Sequence, residues 1–481
     1  MTATASTSTD RPLCVDLDGT VIRGDLLYES AFALMRTDLL AALHIPLWLT
    51  AGKAAMKRKI AARVELDATC LPYRDDLLLF LRAERAKGRR IVLVTASDAT
   101  FASRIADHLG CFDEVIASDG ETNLRSHAKA TALVERFGER GFDYAGNSRD
   151  DLAVWSRAHT SFVAGDEAAA RRFAQRERAT RFEDHPAHSR LRLWSRTLRL
   201  HQWLKNALLF VSLVLAGQVT NIAAWMDAVL GFLAFGLCAS SVYILNDLLD
   251  LESDRRHSRK RERPLAAGLV SVPAALGAGF ACLAAAATIA LFLPPLFASV
   301  LALYYATTLA YSFALKRKML VDVFTLAGLF TIRVIAGAAA IGAGISTWLL
   351  AFSMFFFLSL ALVKRFVELA NEPVAANGKV AGRGYMPGDI ETLSQAGLAS
   401  GFAAAVVLAL FIDTPAMSEA YNNPEMVWLL CPIVLYIVVR IWMLARRDQM
   451  HDDPVVFLMK DWRSILLIAI GAAVLLVAKL A

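Results

Sequence analysis

The chain has 481 residues, 56% of them hydrophobic and 20% charged, with a formal net charge of +6 and a mean hydropathy of +0.44. That length accommodates two or more domains, and six cysteines without CxxC or metal-ligand spacing exclude a disulfide framework or a zinc site. Charge is mixed up to about residue 195 and gathers beside long apolar runs from about 205 onward, which points to a membrane and to no nucleic acid.

Residues 1–10, MTATASTSTD, lack a long apolar core and read as a flexible leader, so a cytoplasmic amino-terminal domain is the default. LCVDLDGT (13–20) is a short buried-type strand ending in two acids, a glycine and a threonine. RIVLVTAS (90–97) is a second strand ending in hydroxyl residues, and FDYAGNS is a third leading to Asp150 and Asp151. Helical stretches at 78–88, 99–109 and 127–138 lie between them. The alternation predicts a parallel α/β sheet with its chemistry at strand carboxyl ends. There Asp16 is suited to attack phosphorus, and Asp18 to protonate the leaving group and later activate water. Thr95 and Lys129 are suited to hold phosphoryl oxygens, and Asp151 to help bind Mg²⁺. Any one of these acids alone reads as a turn or cap; the ordered set carries the expectation.

DLDGT at Asp16 to Thr20, strand-end Thr95, Lys129, and GNSRDD at Gly146 to Asp151 resemble the haloacid dehalogenase superfamily of phosphatases over roughly residues 11–165. The resemblance implies an α/β haloacid dehalogenase-like domain over 11–180, with a small helical cap within 25–75 that selects the substrate. It also implies Mg²⁺ held by Asp16, Asp18, Asn147 and Asp151. The family's last motif usually starts Gly-Asp, whereas this chain has Gly146-Asn147, which offers an oxygen without a negative charge. An active phosphatase and a degenerate, scaffolding domain are both compatible with that change.

The segment 181–203 reads as a linker and interfacial helix: Pro186 breaks regular structure, then Trp194, Arg196, Arg199 and Trp203 mix apolar and basic faces. His201 and Lys205, four apart, share one helical face, for headgroup contact or at a cavity mouth. Nine apolar segments follow, from 204–219 and 226–246 through to 464–480, predicting an all-α nine-transmembrane-helix bundle over 204–481. An odd count sets the two chain ends on opposite sides. Basic residues in the loops near 255–264, 316–318, 364–383 and 446–463 put the amino terminus and the long loops in the cytoplasm of a multi-pass inner-membrane protein.

In YILNDLLDLESDRRHSRKRERPLAAG (243–268), spacings of three and four set Asn246 or Asp247, Asp250 and Asp254 along one side of a continuing helix. Adjacent carboxylates repel unless cations neutralise them, and Mg²⁺ bridges carboxylates and diphosphate oxygens well. Arg255, Arg259, Lys260 and Arg263 then offer ligands for donor phosphates. Charges after a span are ordinary, which accounts for the arginines but not for the aligned acids. In the fifth apolar segment Asp322 and Arg333 lie eleven residues apart on nearly the same face, and the cost of an unpaired ion in lipid makes both candidates for a polar cavity. Lys364 and Arg365 mark the cytoplasmic end of the sixth segment, as anchors or as ligands.

NDLLDLESD (246–254) and the acidic region beginning at Asp322 resemble the UbiA superfamily of intramembrane prenyltransferases over roughly 195–481. The resemblance implies Mg²⁺-diphosphate held at the cytoplasmic mouth by Asn246, Asp247, Asp250, Asp254 and Asp322. The usual second motif is DxxxD, and here Leu326 occupies its second acidic place. LRLHQWLKN (198–206), residues 246–268, and YSFALKR followed by DVFTLAGLFTIRVIAG are similar to the decaprenyl-phosphate phosphoribosyltransferase branch. That similarity implies transfer of 5-phosphoribosyl from phosphoribosyl pyrophosphate to a polyprenyl phosphate, with Lys205, Arg333 and Lys364 at the acceptor phosphate. The amino-terminal domain would then remove the ribose phosphate, and a homo-oligomer is compatible with this scheme. The alternative enzyme is a prenyltransferase joining polyprenyl diphosphate to an aromatic acceptor such as 4-hydroxybenzoate. A transporter or lipid-binding module leaves the aligned acids unexplained.

Overall fold

The computed structural model describes residues 11–182, 189–371, 384–450 and 453–480. The expected leader at 1–10, Pro186 of the linker and the 372–383 part of one basic loop therefore lie outside the described residues. The chain divides into two compact units, Met1–Thr197 with Ile244–Gly277, and Leu198–Tyr243 with Ala278–Ala481. Ile244–Gly277, which the sequence assigns to the membrane domain, thus folds with the α/β unit. Ion pairs explain this: Arg255 meets Glu29, and Arg256 meets Asp67, each at 2.8 Å.

The α/β unit holds a six-stranded parallel sheet in the order β3-β2-β1-β4-β5-β6. Its strands are β1 (Leu13–Val15), β2 (Ile91–Asp98), β3 (Glu114–Ser118), β4 (Asp143–Gly146), β5 (Ser161–Ala164) and β6 (Thr180–Phe182). Successive strand residues point to opposite faces, so Leu13, Val15, Ile91 and Leu93 enter one core while Cys14, Val92 and Val94 enter the other. Burial on both faces is why these strands read as unbroken apolar runs. Helices over Asp75–Ala86, Ala99–Leu109 and His127–Phe137 match the three expected. Strand order reverses between β1 and β4, and their carboxyl ends open the crevice in which ligands of such sheets bind.

Between β1 and β2 lies the expected cap, four helices over Leu26–Thr37, Leu39–Ala42, Ile45–Thr50 and Lys53–Ala61. Leu34, Trp48, Met56 and Ile60 give it a small core of its own. Asp25 caps its first helix by accepting from the Leu27 amide at 2.9 Å. Gly52, at φ +100°, turns the chain into the last, a conformation that a side chain would strain.

Among the described residues, eight helices are long and apolar enough to cross a membrane, from Ile222–Leu249 to Trp462–Leu480. The first of the nine expected segments is shorter: a 3₁₀ stretch over Leu200–Leu208 runs into an α-helix over Leu209–Leu215. Within the membrane unit Gly337 abuts the Leu209 backbone, where any Cβ would strike the carbonyl. The helix expected to continue through Asp254 ends at Leu249, and Asp250 (φ −102°, ψ 13°) separates it from Leu251–Arg256. Backbone bonds from Asp250 to Asn246 and from Asp254 to Asp250 preserve the winding across that break.

Candidate active sites

Asp16 follows β1, Asn147 follows β4, and Thr95 and Ser97 lie in β2, so the crevice gathers the predicted acids and hydroxyls. Lys129, in the first turn of His127–Phe137, donates to Asp16 Oδ1 at 2.6 Å and to the Tyr144 hydroxyl at 3.1 Å. Asp18 accepts from the Leu26 amide at 2.8 Å, from Ser97 Oγ at 2.6 Å and from Thr95 Oγ1 at 3.3 Å. Burial pushes the Asp16 carboxyl up to about 7 against the pull of Lys129. Burial, reinforced by Asp25, pushes Asp18 up to about 6. Burial also lowers the Lys57 ammonium on the cap, against the pull of Asp18 and Asp25.

Asp151, expected to help bind Mg²⁺, has both of its carboxyl oxygens engaged in hydrogen bonds. Its Oδ2 accepts from the Asn147 amide and from both the Ser148 amide and hydroxyl at 3.0 Å each, and its Oδ1 accepts from Tyr144 at 2.7 Å. It therefore shapes the Gly146–Ser148 turn. Asp150 pairs instead with Arg125 at 2.6 Å. The oxygens that converge are Asp16 Oδ2 and Asn147 Oδ1, which share the Thr20 hydroxyl at 3.2 and 3.3 Å. One hydroxyl proton cannot satisfy both, so these two oxygens are the ones that would hold a cation. Among the described residues no three His, Cys, Asp or Glu side chains form a metal cage. Mg²⁺ keeps several waters and takes phosphate oxygens, so two protein oxygens suit it.

In the Ile244–Gly277 segment Asp247 and Asp254 are both buried. Arg263 Nη1 lies 3.2 Å from Asp247 Oδ1 and 2.5 Å from Asp254 Oδ2, so one cationic nitrogen neutralises both acids. Beside them Asn246 Oδ1 is buried without a hydrogen-bond partner. Two carboxylates converging on one positive atom, with an orphan oxygen nearby, fit a divalent cation. Burial raises the Asp254 carboxyl above its ordinary value, while Arg263 opposes the rise. Asp250 is half-buried, Lys260 half-buried and Arg259 exposed. Arg255 spends its guanidinium on Glu29, at 2.8 and 2.9 Å, and on the Ala266 carbonyl at 2.8 Å.

Within the membrane unit Asp322 is fully buried, 2.5 Å from Arg365 Nη2 and accepting from the Tyr385 hydroxyl at 2.5 Å. Arg333 is also internally engaged: with Asn206 Oδ1 at 3.1 Å, the Leu329 carbonyl at 2.5 Å and the Tyr304 hydroxyl at 2.9 Å. Lys205 and Lys364 converge on Asp453, at 2.8 and 3.3 Å. Burial opposes the Asp453 charge, yet the two lysines hold its carboxyl well below the usual range. Sequence reasoning missed Ser97, Tyr144, Glu29, Tyr385 and Asp453. Only Asp453 carried a local signal, an acid before Pro454 at a helix start.

The UbiA prenyltransferase family profile matches residues 207–464, more than half of the 481 residues. The profile for haloacid dehalogenase-like hydrolases matches residues 13–156. An uncharacterized protein of Sinorhizobium fredii, y4nM, is 41% identical over 94% of this chain and 87% of its own length. A decaprenyl-phosphate phosphoribosyltransferase of Corynebacterium glutamicum is 32% identical, over 40% of this chain and 59% of that protein. A UbiA homolog from Archaeoglobus fulgidus, solved with GPP and Mg²⁺, aligns at TM-score 0.46 and 16% identity, covering 60% of this chain and 99% of that one. The chain belongs to the UbiA prenyltransferase family, with a haloacid dehalogenase-like hydrolase domain fused at its amino-terminal end.

Proposed function

We propose that the membrane domain transfers 5-phosphoribosyl from phosphoribosyl pyrophosphate to a polyprenyl phosphate, and that the amino-terminal domain, in the cytoplasm, then removes the ribose 5-phosphate. The observation that carries the first step is the convergence of buried Asp247 and Asp254 on a single cationic nitrogen. Asn246, Asp247 and Asp254 would hold Mg²⁺, with Asp250 beside them, and Arg263 would turn from the acids to the donor's phosphates. Bound there, Mg²⁺ supplies positive charge against the departing diphosphate. The C1–O bond of the ribose breaks, its electron pair leaves with the diphosphate, and a lipid phosphate oxygen forms the new bond to C1. A charged nucleophile needs positioning more than a base. The phosphoribosyl reading is favoured over aromatic prenylation because Leu326 replaces the second acid. Similarity to the phosphoribosyltransferase supports the same choice.

In the second step Asp16 attacks phosphorus, and the phosphate ester bond breaks as Asp18 gives its proton to the ribose oxygen. Water, deprotonated by Asp18, then attacks the same phosphorus and frees Asp16, releasing inorganic phosphate. Lys129 and Thr95 would hold the phosphoryl oxygens.

Mass analysis of products tests the scheme, using full-length protein with matched phosphoribosyl and prenyl-diphosphate substrates. The expected product is polyprenyl-phosphate-ribose. Asp16→Asn should leave its phosphorylated precursor to accumulate, and Asp247→Asn with Asp250→Asn should abolish both. A prenylated aromatic as the product would overturn the proposal.

A further inference from the structure

We infer that the hydrolase cavity holds a second anion subsite, built on Lys53 and Lys57 of the cap, so that its substrate is a phosphomonoester carrying a further phosphate group. This rests on the phosphatase assignment above and names the class of substrate that the domain takes.

The cavity is about 470 Å³ in volume and lies wholly within the α/β unit. Small-molecule sites run to about 300–1,000 Å³, so there is room beyond one phosphoryl group for a sugar and a second phosphate. Asp16, Asp18, Asn147 and Lys129 line the phosphoryl end. Of the other cations in its walls, Arg125 pairs with Asp150 at 2.6 Å and Arg255 with Glu29 at 2.8 Å. Lys53 and Lys57 differ: among the described residues neither forms an ion pair with a carboxylate. Asp18 and Asp25 attract the Lys57 ammonium only from beyond that distance, and both accept backbone amides instead, from Leu26 and Leu27.

The hydrogen bond that Lys57 does make fixes its place. Its Nζ donates to the Ala96 carbonyl at 2.6 Å. Ala96 stands between Thr95 and Ser97, whose hydroxyls donate to Asp18, so a cap ammonium is held beside the phosphoryl end. An ammonium has three N–H donors, and one spent on a neutral carbonyl leaves two for a ligand. Lys53 and Lys57 are four apart on the nine-residue helix Lys53–Ala61 and share one face. Like charges at that spacing destabilise a helix, and a cation in the first turn opposes its dipole, so the helix gains nothing from the pair. Burial lowers the Lys57 ammonium, and Arg125 and Lys53 lower it further; an anion between them relieves the repulsion. In the proposed product of transfer that anion is the phosphodiester joining ribose to the lipid. Hydrolysis consumes one water, breaks the ester P–O bond at C5 and frees inorganic phosphate, while the second phosphate stays on the substrate.

The test compares two soluble riboside 5-phosphates that differ at C1, where one carries a methoxy group and the other a methyl phosphodiester. Full-length protein in detergent micelles with Mg²⁺ should show kcat/KM about tenfold higher for the phosphodiester probe, through KM. That advantage should shrink as ionic strength rises. Both lysines are at least partly exposed, so substituting them spares the fold. Lys53→Gln with Lys57→Gln should bring the ratio of the two probes close to one, and Lys53→Arg with Lys57→Arg should keep most of it. A ratio near one in the unaltered protein overturns the inference, as does a ratio that survives the glutamine substitutions. Calorimetric binding of both probes to Asp16→Asn protein separates the subsite from the phosphatase assignment. Tighter binding of the phosphodiester probe, with no turnover by the unaltered protein, upholds the subsite and overturns that assignment. Equal binding overturns the subsite whatever the turnover. Faster hydrolysis of fructose 1,6-bisphosphate than of the phosphodiester probe upholds the subsite while removing the transfer product as its source.

Discussion

Asp16 and Lys129 meet at 2.6 Å in a cavity that desolvates both, which sets how the phosphatase answers to pH. With Asp16 pushed up to about 7 and Asp18 to about 6, both carboxylates are ionised at pH 8. Below pH 7 Asp16 takes up a proton that an incoming cation must displace. The Mg²⁺ concentration for half-maximal phosphate release should therefore rise as pH falls from 8 to 6, approaching about tenfold per pH unit below 7. Mg²⁺ titrations at fixed pH check this, and a flat requirement would assign the raised carboxyl no part in metal binding. At this scale the motif acids were legible because they follow strand ends in a fixed order, with Lys129 on an expected helix between them. Ser97 and Tyr144 were not: strand hydroxyls are common, and only the parallel register that pairs Cys14 with Val92 and Tyr144 brings these two to the acids.

Between elements the buried pair Asp322–Arg365 joins the helices Val321–Ala340 and Thr347–Asn371. Removing one partner strands the other charge, at a cost of about 3–5 kcal/mol, whereas replacing both with apolar groups is often neutral. Arg365 also pairs with Glu368, so Arg365→Met, which leaves buried Asp322 without its cation, should destabilise the protein by roughly that amount in mixed-micelle unfolding, and adding Asp322→Asn should restore most of the loss. Full stability in Asp322→Asn with lost turnover would instead make Asp322 a metal ligand. The sequence put Asp322 and Arg333 on one helical face, yet they take separate partners. Three turns separate them by about 16 Å, so a shared face does not mean contact. The interruption at Asp250 was equally hidden, since no glycine or proline marks it.

At the scale of the whole chain, the change from mixed composition to apolar runs was enough to separate an α/β domain from a membrane bundle. It was not enough to place Ile244–Gly277, whose allegiance depends on Arg255 and Arg256 finding acids more than 180 positions away. Hydropathy reports burial in lipid, and long-range ion pairs leave no trace in it. The Leu200–Leu215 segment has a related consequence. A 3₁₀ coil advances about 2 Å per residue against about 1.5 Å in an α-helix, so the pitch of Leu200–Leu208 stretches sixteen residues to about 28 Å. That length approaches the thickness of a hydrocarbon core despite the short count, and a crossing there would bring the eight long helices to an odd total. An alkaline phosphatase moiety joined after Ala481 should then be active outside the cytoplasm while the amino-terminal domain stays protected from external protease. An inactive reporter would mean that this stretched coil lies along the surface and that both chain termini share one compartment.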